Sequence, residues 1–285
     1  MDARKKSKRN FKMRIANNIF ATNAQRLLQG TKNATSKNLE KISSGLRINR
    51  AADDASSLSI SEKMRNQVSG LKQAMRNAQD GISMVQTAEG ALIETHAVLN
   101  RMRDLAIQAG NDTLKDDDRD KLNQEFTALN TEINRIVDTT EFNTKKLLDG
   151  SLNSGITFHV DANSGASRQI TIFLPASTPA ALNIEGNNIH NQTAAIHAIK
   201  AIDVAISTIS TTRSVLGTAQ NQLEHAINNL GVTAENLASS ASRIHDADIG
   251  DEMTSFSKNQ ILTHSATAML AQANAKPQNV LKIVG

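Results

Sequence analysis

Seven histidines and a cluster of aspartates are the side chains best able to do chemistry in this chain of 285 residues. His96, His159, His190, His197, His225, His245 and His264 offer imidazoles to a metal or a proton. A zinc site would need two of them on neighbouring turns of one helix and a third ligand close by. Glu224-His225 lacks the second His of an H-E-x-x-H motif, and His190 and His197 stand seven apart without a third ligand. Asp246, Asp248 and Asp251 resemble the opening of a calcium loop, but the Gly and the closing Glu fall at the wrong spacing. There is no Cys, hence no disulfide and no thiol nucleophile. No Walker loop, nucleophile elbow or dinucleotide fingerprint occurs in the sequence. These patterns point away from an enzyme, a metal centre or a cofactor. The histidines read as structural or exposed, and the aspartates as a solvated connector.

One further charged pair stands out because of where it falls. Glu89 and Arg213 occupy positions on two long helical stripes where apolar residues are expected. The first stripe runs Met64, Val68, Leu71, Met75, Ala78, Ile82, Val85, Leu92, Leu99 and Ala106, and predicts a helix over Ala55–Ala109, about 80 Å long. The second begins at Ala195 and continues through Ile202, Ile209, Leu216, Leu223 and Leu230 to Ile244. A shorter third stripe holds Leu122, Phe126, Leu129, Ile133 and Ile136. Spacing of this kind predicts a mainly α fold: an elongated antiparallel helix bundle with coiled-coil packing at about 20° crossing angles. If the two long helices run antiparallel, Met64 lies near Ala241 and Ala106 near Ala195. Glu89 then meets Arg213 in a polar layer that fixes register. The competing reading lets both side chains reach out to solvent.

The chain ends carry thinner stripes. Ile15, Ile19, Leu27 and Leu28 lie near the start, and Met253, Phe256, Ile261, Met269 and Leu270 near the end, where Pro277 is expected to interrupt the helix before Val280 and Leu281. Helices of this kind are marginal alone, so pairing with each other and association with further subunits are needed to cover them. Between the first weak helix and the long one, KISSGLRINRAADDAS offers Gly45 as a helix stop, Asp53 or Asp54 as the next cap, and either local ion pairs among Arg47, Arg50, Asp53 and Asp54 or, the preferred reading, a polar loop whose ion pairs are worth little. Gly70, Gly81 and Gly90 inside the long helix either admit a close neighbour or are simply tolerated. The helical period stops over residues 139–188. There, strands at Ile156 to Val160 and Gln169 to Leu174 predict a small β-hairpin across DANSGASR, placed at one end of the rod.

Trp and Tyr are absent, which leaves few side chains to line a small-molecule pocket. The net charge of +4 is concentrated in residues 1–12, where Arg4, Lys5, Lys6, Lys8, Arg9 and Lys12 face only Asp2, so the body of the chain is near neutral. That tail reads either as a contact for nucleic acid or anionic lipid, or as a disordered extension or upstream start ahead of Met13, and the second reading is preferred. No apolar run approaches a membrane span, and no secretory signal is evident.

Several motifs in order identify a resemblance. KISSGLRINRAADDAS, NAQDGISMVQTAEGAL, LNRMRDLAIQAGN and EFNTKKLLDG in the first half closely resemble bacterial flagellin. So do LGTAQNQLEHAINNL, ENLASSASRIHDADI and AMLAQANAKPQNVLKIVG in the second. The resemblance covers residues 13–285 and implies an inner coiled-coil domain from residues 13–54 and 246–285 and a rod-like domain from residues 55–245, without large outer domains. It implies a secreted, extracellular structural subunit of the flagellar filament, a helical homopolymer for motility whose terminal helices fold on assembly. Export unfolded through the flagellar type III route would explain the missing signal. The implied partners are itself, an export chaperone, and the filament cap and hook-filament junction proteins, with no nucleic acid. Arg101, Leu105 and Glu132 match positions at which some flagellins contact Toll-like receptor 5. The alternatives are the related hook-filament junction adaptor and, more remotely, a cytosolic coiled-coil adaptor with a nucleic-acid-binding tail.

Overall fold

The computed structural model describes residues 17–165 and 168–284, with side chains to residue 277. The basic tail and Ile15 lie outside the described residues, as do the side chains of Val280 and Leu281. In order, the elements are α1 (Ile19–Ser44), α2 (Ala55–Ala109), α3 (Asp116–Thr139), β1 (Glu141–Phe142), β2 (Lys145–Lys146), β3 (Ile156–His159), β4 (Gln169–Ile172), α4 (Gln192–His245) and α5 (Ile249–Val284). The chain divides into two compact units. One comprises the residues up to Lys63 together with those from Ser240 onward, and the other is Met64–Ser239.

In the unit Met64–Ser239, α2 and α4 run antiparallel. Gln192 Nε2 donates to Gly110 O, Arg103 pairs with Asp203, Glu89 with Arg213, and Met75 lies beside Gly231, so each step down one helix is matched by a step up the other. Leu92, Leu99, Leu105, Ile202, Ile209 and Leu216 fill the core with Phe126 and Ile133 of α3. This is the helical stripe of the sequence buried as expected from its spacing. By length and composition α4 would pass for a membrane span, which corrects the reading that no segment approaches one. Its apolar residues Ile202, Ile209, Leu216 and Leu223 are the stripe packed into this core.

α3 turns back along α2 and is pinned where it starts. Arg119, buried, donates from Nε to Ala109 O (3.0 Å) and from Nη2 to Asn111 O (3.1 Å), placing a cation on the carbonyl end of α2. A short hairpin follows, with Glu141 opposite Lys146 and a turn at Asn143 and Thr144, both at positive φ. The second hairpin pairs Ile156 with Ile172 and His159 with Gln169 across the DANSGASR loop.

That hairpin packs against the flank of α2 and does not lie beyond its end, contrary to the expectation that it forms one end of the rod. Asn77 Nδ2 donates to His159 O at 3.2 Å. A Cβ at Gly70 would stand 2.8 Å from the Ala162 Cβ, and one at Gly81 would stand 3.2 Å from the Phe158 ring. Two of the three helical glycines therefore make room for the hairpin. Gly90 faces open space.

In the unit of the two chain ends, α1 and α5 pair antiparallel, joined from Asn18 to Ala273 at one end and from Lys41 to Glu252 at the other. Gly45, at φ 71°, ends α1. Beyond it Leu46 bridges Asp246, with Arg47 N donating to His245 O and Ala247 N to Gly45 O. The connector's charges do not pair with one another, in line with the polar-loop reading. Asp53 accepts the Asn49 and Arg50 amides, Asp54 Oδ1 accepts Ser57 N at 3.0 Å and caps α2, and Arg50 turns back to Glu40 at 2.9 Å. Free amides at a turn and a helix start outbid exposed guanidinium groups for these carboxylates. The same bonds hold both carboxyls below their usual range: for Asp53 those from Arg50 and Asn49, and for Asp54 those from Ser57.

α5 also corrects the sequence reading, because it continues through Pro277 to Val284 without stopping. Proline removes the donor for the carbonyl four residues before it, here Ala273 O, and Asn18 Nδ2 donates to that oxygen at 2.8 Å.

Candidate assembly surface

α1 and α5 meet through few apolar contacts. Leu28 is the one buried residue of α1, and no residue of α5 up to Pro277 is fully buried. Polar bonds supply much of the join: Asn38 Nδ2 and Lys41 Nζ both reach the Glu252 carboxylate, and Asn259 Nδ2 donates to Asn38 Oδ1. The large apolar side chains instead face outward. Ile19, Phe20, Leu27 and Leu39 of α1 are exposed, and so are Ile249, Met253, Ile261, Leu262 and Met269 of α5. Leu27 and Ile261 are 63% and 66% exposed. Phe256 and Leu270 are half-buried. The sequence-selected residues Ile19, Leu27, Met253, Ile261 and Met269 thus lie on the surface of this unit, with Leu28 beneath it.

This arrangement can perform no covalent chemistry. It presents apolar area on paired helices, which is stabilised when another apolar surface covers it. Among the described residues, no group of three His, Asp or Glu side chains is placed to hold a metal. His190 is engaged by Asp120 and Asn123, which ties the approach to α4 onto α3.

Elsewhere the remaining sequence-selected residues take different places. Leu105 is fully buried in the core of Met64–Ser239, so its side chain is not available to a partner there. Arg101 is exposed and pairs with Glu125 at 2.7 Å. Glu132 pairs with Arg135 one turn on, and that hydrogen bond holds its carboxyl below the usual range. Glu89 and Arg213 come together, Oε1 3.6 Å from Nη2, with each side chain about a third exposed. The sequence reading missed Arg119. The signal was an arginine inside the acidic run DDDRD, facing the Ala-Gly end of α2.

Known proteins share this sequence over most of its length. The family model described as the bacterial flagellin N-terminal helical region matches residues 15–153, and that of the bacterial flagellin C-terminal helical region matches residues 199–284. The stretch between the two matches holds the β3–β4 hairpin and the approach to α4. A flagellin of Halalkalibacterium halodurans is 48% identical over 272 residues, covering 95% of this chain and 100% of the relative. A flagellin of Bacillus subtilis is 44% identical over 307 residues with the same coverage. The crystal structure of Bacillus cereus flagellin aligns at 32% identity with a TM-score of 0.49, covering 58% of this chain and 94% of that one. On the family-model matches and the two full-length relatives, the chain belongs to the bacterial flagellins, non-enzymatic structural subunits that polymerise into the extracellular flagellar filament.

Proposed function

We propose that α1 and α5 are the elements that drive polymerisation, folding fully only when neighbouring subunits cover them. The observation that carries this reading is the exposure of Leu27, Ile261 and Met269 on helices that, among the described side chains, bury only Leu28 between them. Helices so poorly covered gain most of their stability from what packs on them, so ordering and assembly are one equilibrium. On this reading residues 13–54 and 246–285 form an inner coiled-coil domain and residues 55–245 the rod-like outer part. A seeded sedimentation assay tests it. The full chain should elongate filament fragments and pellet, and a chain lacking residues 251–285 should stay in the supernatant. Equal pelleting of both overturns the reading, and failure of both to pellet favours a hook-filament junction adaptor.

The finer partners follow from the same helices. Marginal terminal helices suit export of the unfolded chain through the flagellar type III route, which makes the protein secreted. The C-terminal stripe from Met253 to Leu281 fits the groove of an export chaperone before assembly, as a helix laid in an apolar cleft. The same face meets the filament cap and the hook-filament junction proteins at the two ends of the polymer. Arg101, exposed, and Glu132, half-buried, are the residues offered to Toll-like receptor 5, with Leu105 supporting the helix from inside the core.

A further inference from the structure

The α1–α5 pair contains two polar joins at opposite ends. At one, Asn18 uses its whole side chain: Oδ1 accepts Ala21 N at 3.1 Å and caps α1, while Nδ2 donates to Ala273 O at 2.8 Å. That carbonyl is free because Pro277 has no N–H to give it. At the other, Glu252 stands between two donors, Asn38 Nδ2 at 2.8 Å from Oε2 and Lys41 Nζ at 2.9 Å from Oε1. The Glu252 side chain is only 16% exposed.

Apolar packing alone does not select one register for this pair. The half-buried seam of α5 runs Glu252, Phe256, Asn259, Thr263, Ala266, Leu270 and Ala273 and holds only two large apolar side chains, while Ile261 and Leu262 lie exposed outside it. Sliding α5 by one heptad would trade one thin apolar contact for another. It would also leave Ala273 O without a donor and a largely buried Glu252 without either partner, and unmet polar groups are what penalise a shift.

We propose that Asn18 with Pro277, and Glu252 with Asn38 and Lys41, form a two-point register lock that admits one pairing of the terminal helices. This rests on the reading of α1 and α5 as the assembling elements. The proline acts as the source of the carbonyl that Asn18 recognises, so a residue that normally ends helices instead marks a position along one. The lock sets the Lys276 ammonium over the Phe20 ring, 5.4 Å from its centre, and decides which exposed apolar residues of the two helices lie side by side.

The absence of Cys makes the register directly measurable in the full chain elongating on filament seeds under mild oxidation. The pair Phe20→Cys/Lys276→Cys reports the observed register, and Phe20→Cys/Met269→Cys reports α5 shifted by a heptad. The first should form its disulfide and the second should not. Adding Glu252→Lys should cut the first crosslink about tenfold, the scale of a lost charge-assisted bond, and raise the second. Adding Lys41→Glu to that variant should restore the first. Asn18→Ser keeps the cap but cannot reach Ala273 O, so it should lower the first crosslink with Pro277 present. In a Pro277→Ala background, where the alanine N–H serves that carbonyl, it should have no effect. Crosslink ratios unmoved by Glu252→Lys and Asn18→Ser on elongating seeds overturn the lock alone. Failure of the parent chain to elongate seeds overturns the assembly reading beneath it.

Discussion

Glu89 Oε1 lies 3.6 Å from Arg213 Nη2, joining α2 to α4 at a position where apolar residues flank both side chains. Arg213 Nε is buried without a partner, so the pair is incompletely satisfied. Removing one member should therefore cost more than removing both. Glu89→Leu should destabilise the free subunit by about 2 kcal/mol, because it leaves a half-buried guanidinium alone. Glu89→Leu/Arg213→Leu should be within about 1 kcal/mol of the parent chain. Denaturant melts of the singles and the double give the coupling, and zero coupling would contradict a polar layer here.

The glycines of α2 separate by what stands over them. Gly70→Ala places a methyl 2.8 Å from the Ala162 Cβ and 3.1 Å from its backbone, so it should push the β3–β4 loop away and destabilise the subunit by about 1 to 3 kcal/mol. Gly90→Ala meets nothing within 4 Å and should stabilise it by about 1 kcal/mol through helix propensity. Thermal unfolding of the two variants decides it. The same sign for both would mean the hairpin does not rest on Gly70.

Acid should loosen the start of α2 only below the ordinary carboxylate range. The Ser57 hydrogen bonds hold the Asp54 carboxyl below its ordinary value of 3.8. A depressed native value means the cap contributes fully above 3.8 and is lost as pH falls through the lower native value. Asp53 behaves the same way through the Arg50 and Asn49 amides. Asp54→Asn retains a capping oxygen without a titrating proton, so the protection of the Ser57 amide relative to its intrinsic exchange rate should lose its acid dependence in that variant while the parent retains it. Identical pH profiles would place the cap elsewhere.

How much of this was readable from sequence depends on how local the determining signal is. The bounds of α2 follow from one stripe free of proline, and the β3–β4 hairpin from two alternating runs around DANSGASR. The β1–β2 hairpin escaped notice because each strand is two residues long and its turn uses Asn143 and Thr144, with no glycine to announce it. Pro277 was misread as a helix stop because its consequence is met by Asn18, 255 residues away. Leu105 was chosen by resemblance, yet its place between Met102 and Ala106 puts it on the buried face of α2. Arg119 was hidden among four aspartates, one of which, Asp116, it also pairs with at 3.0 Å, and its anchors on the end of α2 are backbone carbonyls that no side-chain pattern reveals. The exposed faces of α1 and α5 were legible as thin stripes, while the register between them was not.

The central claim is that these exposed faces are the polymerising surface, and the most direct test is seeded elongation of full-length Leu27→Glu and Ile261→Glu variants beside the parent chain. Both positions are exposed, so the charges should leave the thermal unfolding of the free subunit within about 0.5 kcal/mol of the parent. In the filament the same carboxylates would be buried without partners, so the account predicts that neither variant adds to seeds under conditions where the parent pellets quantitatively. Elongation of both variants at the parent's rate would contradict it and move the assembly surface off α1 and α5.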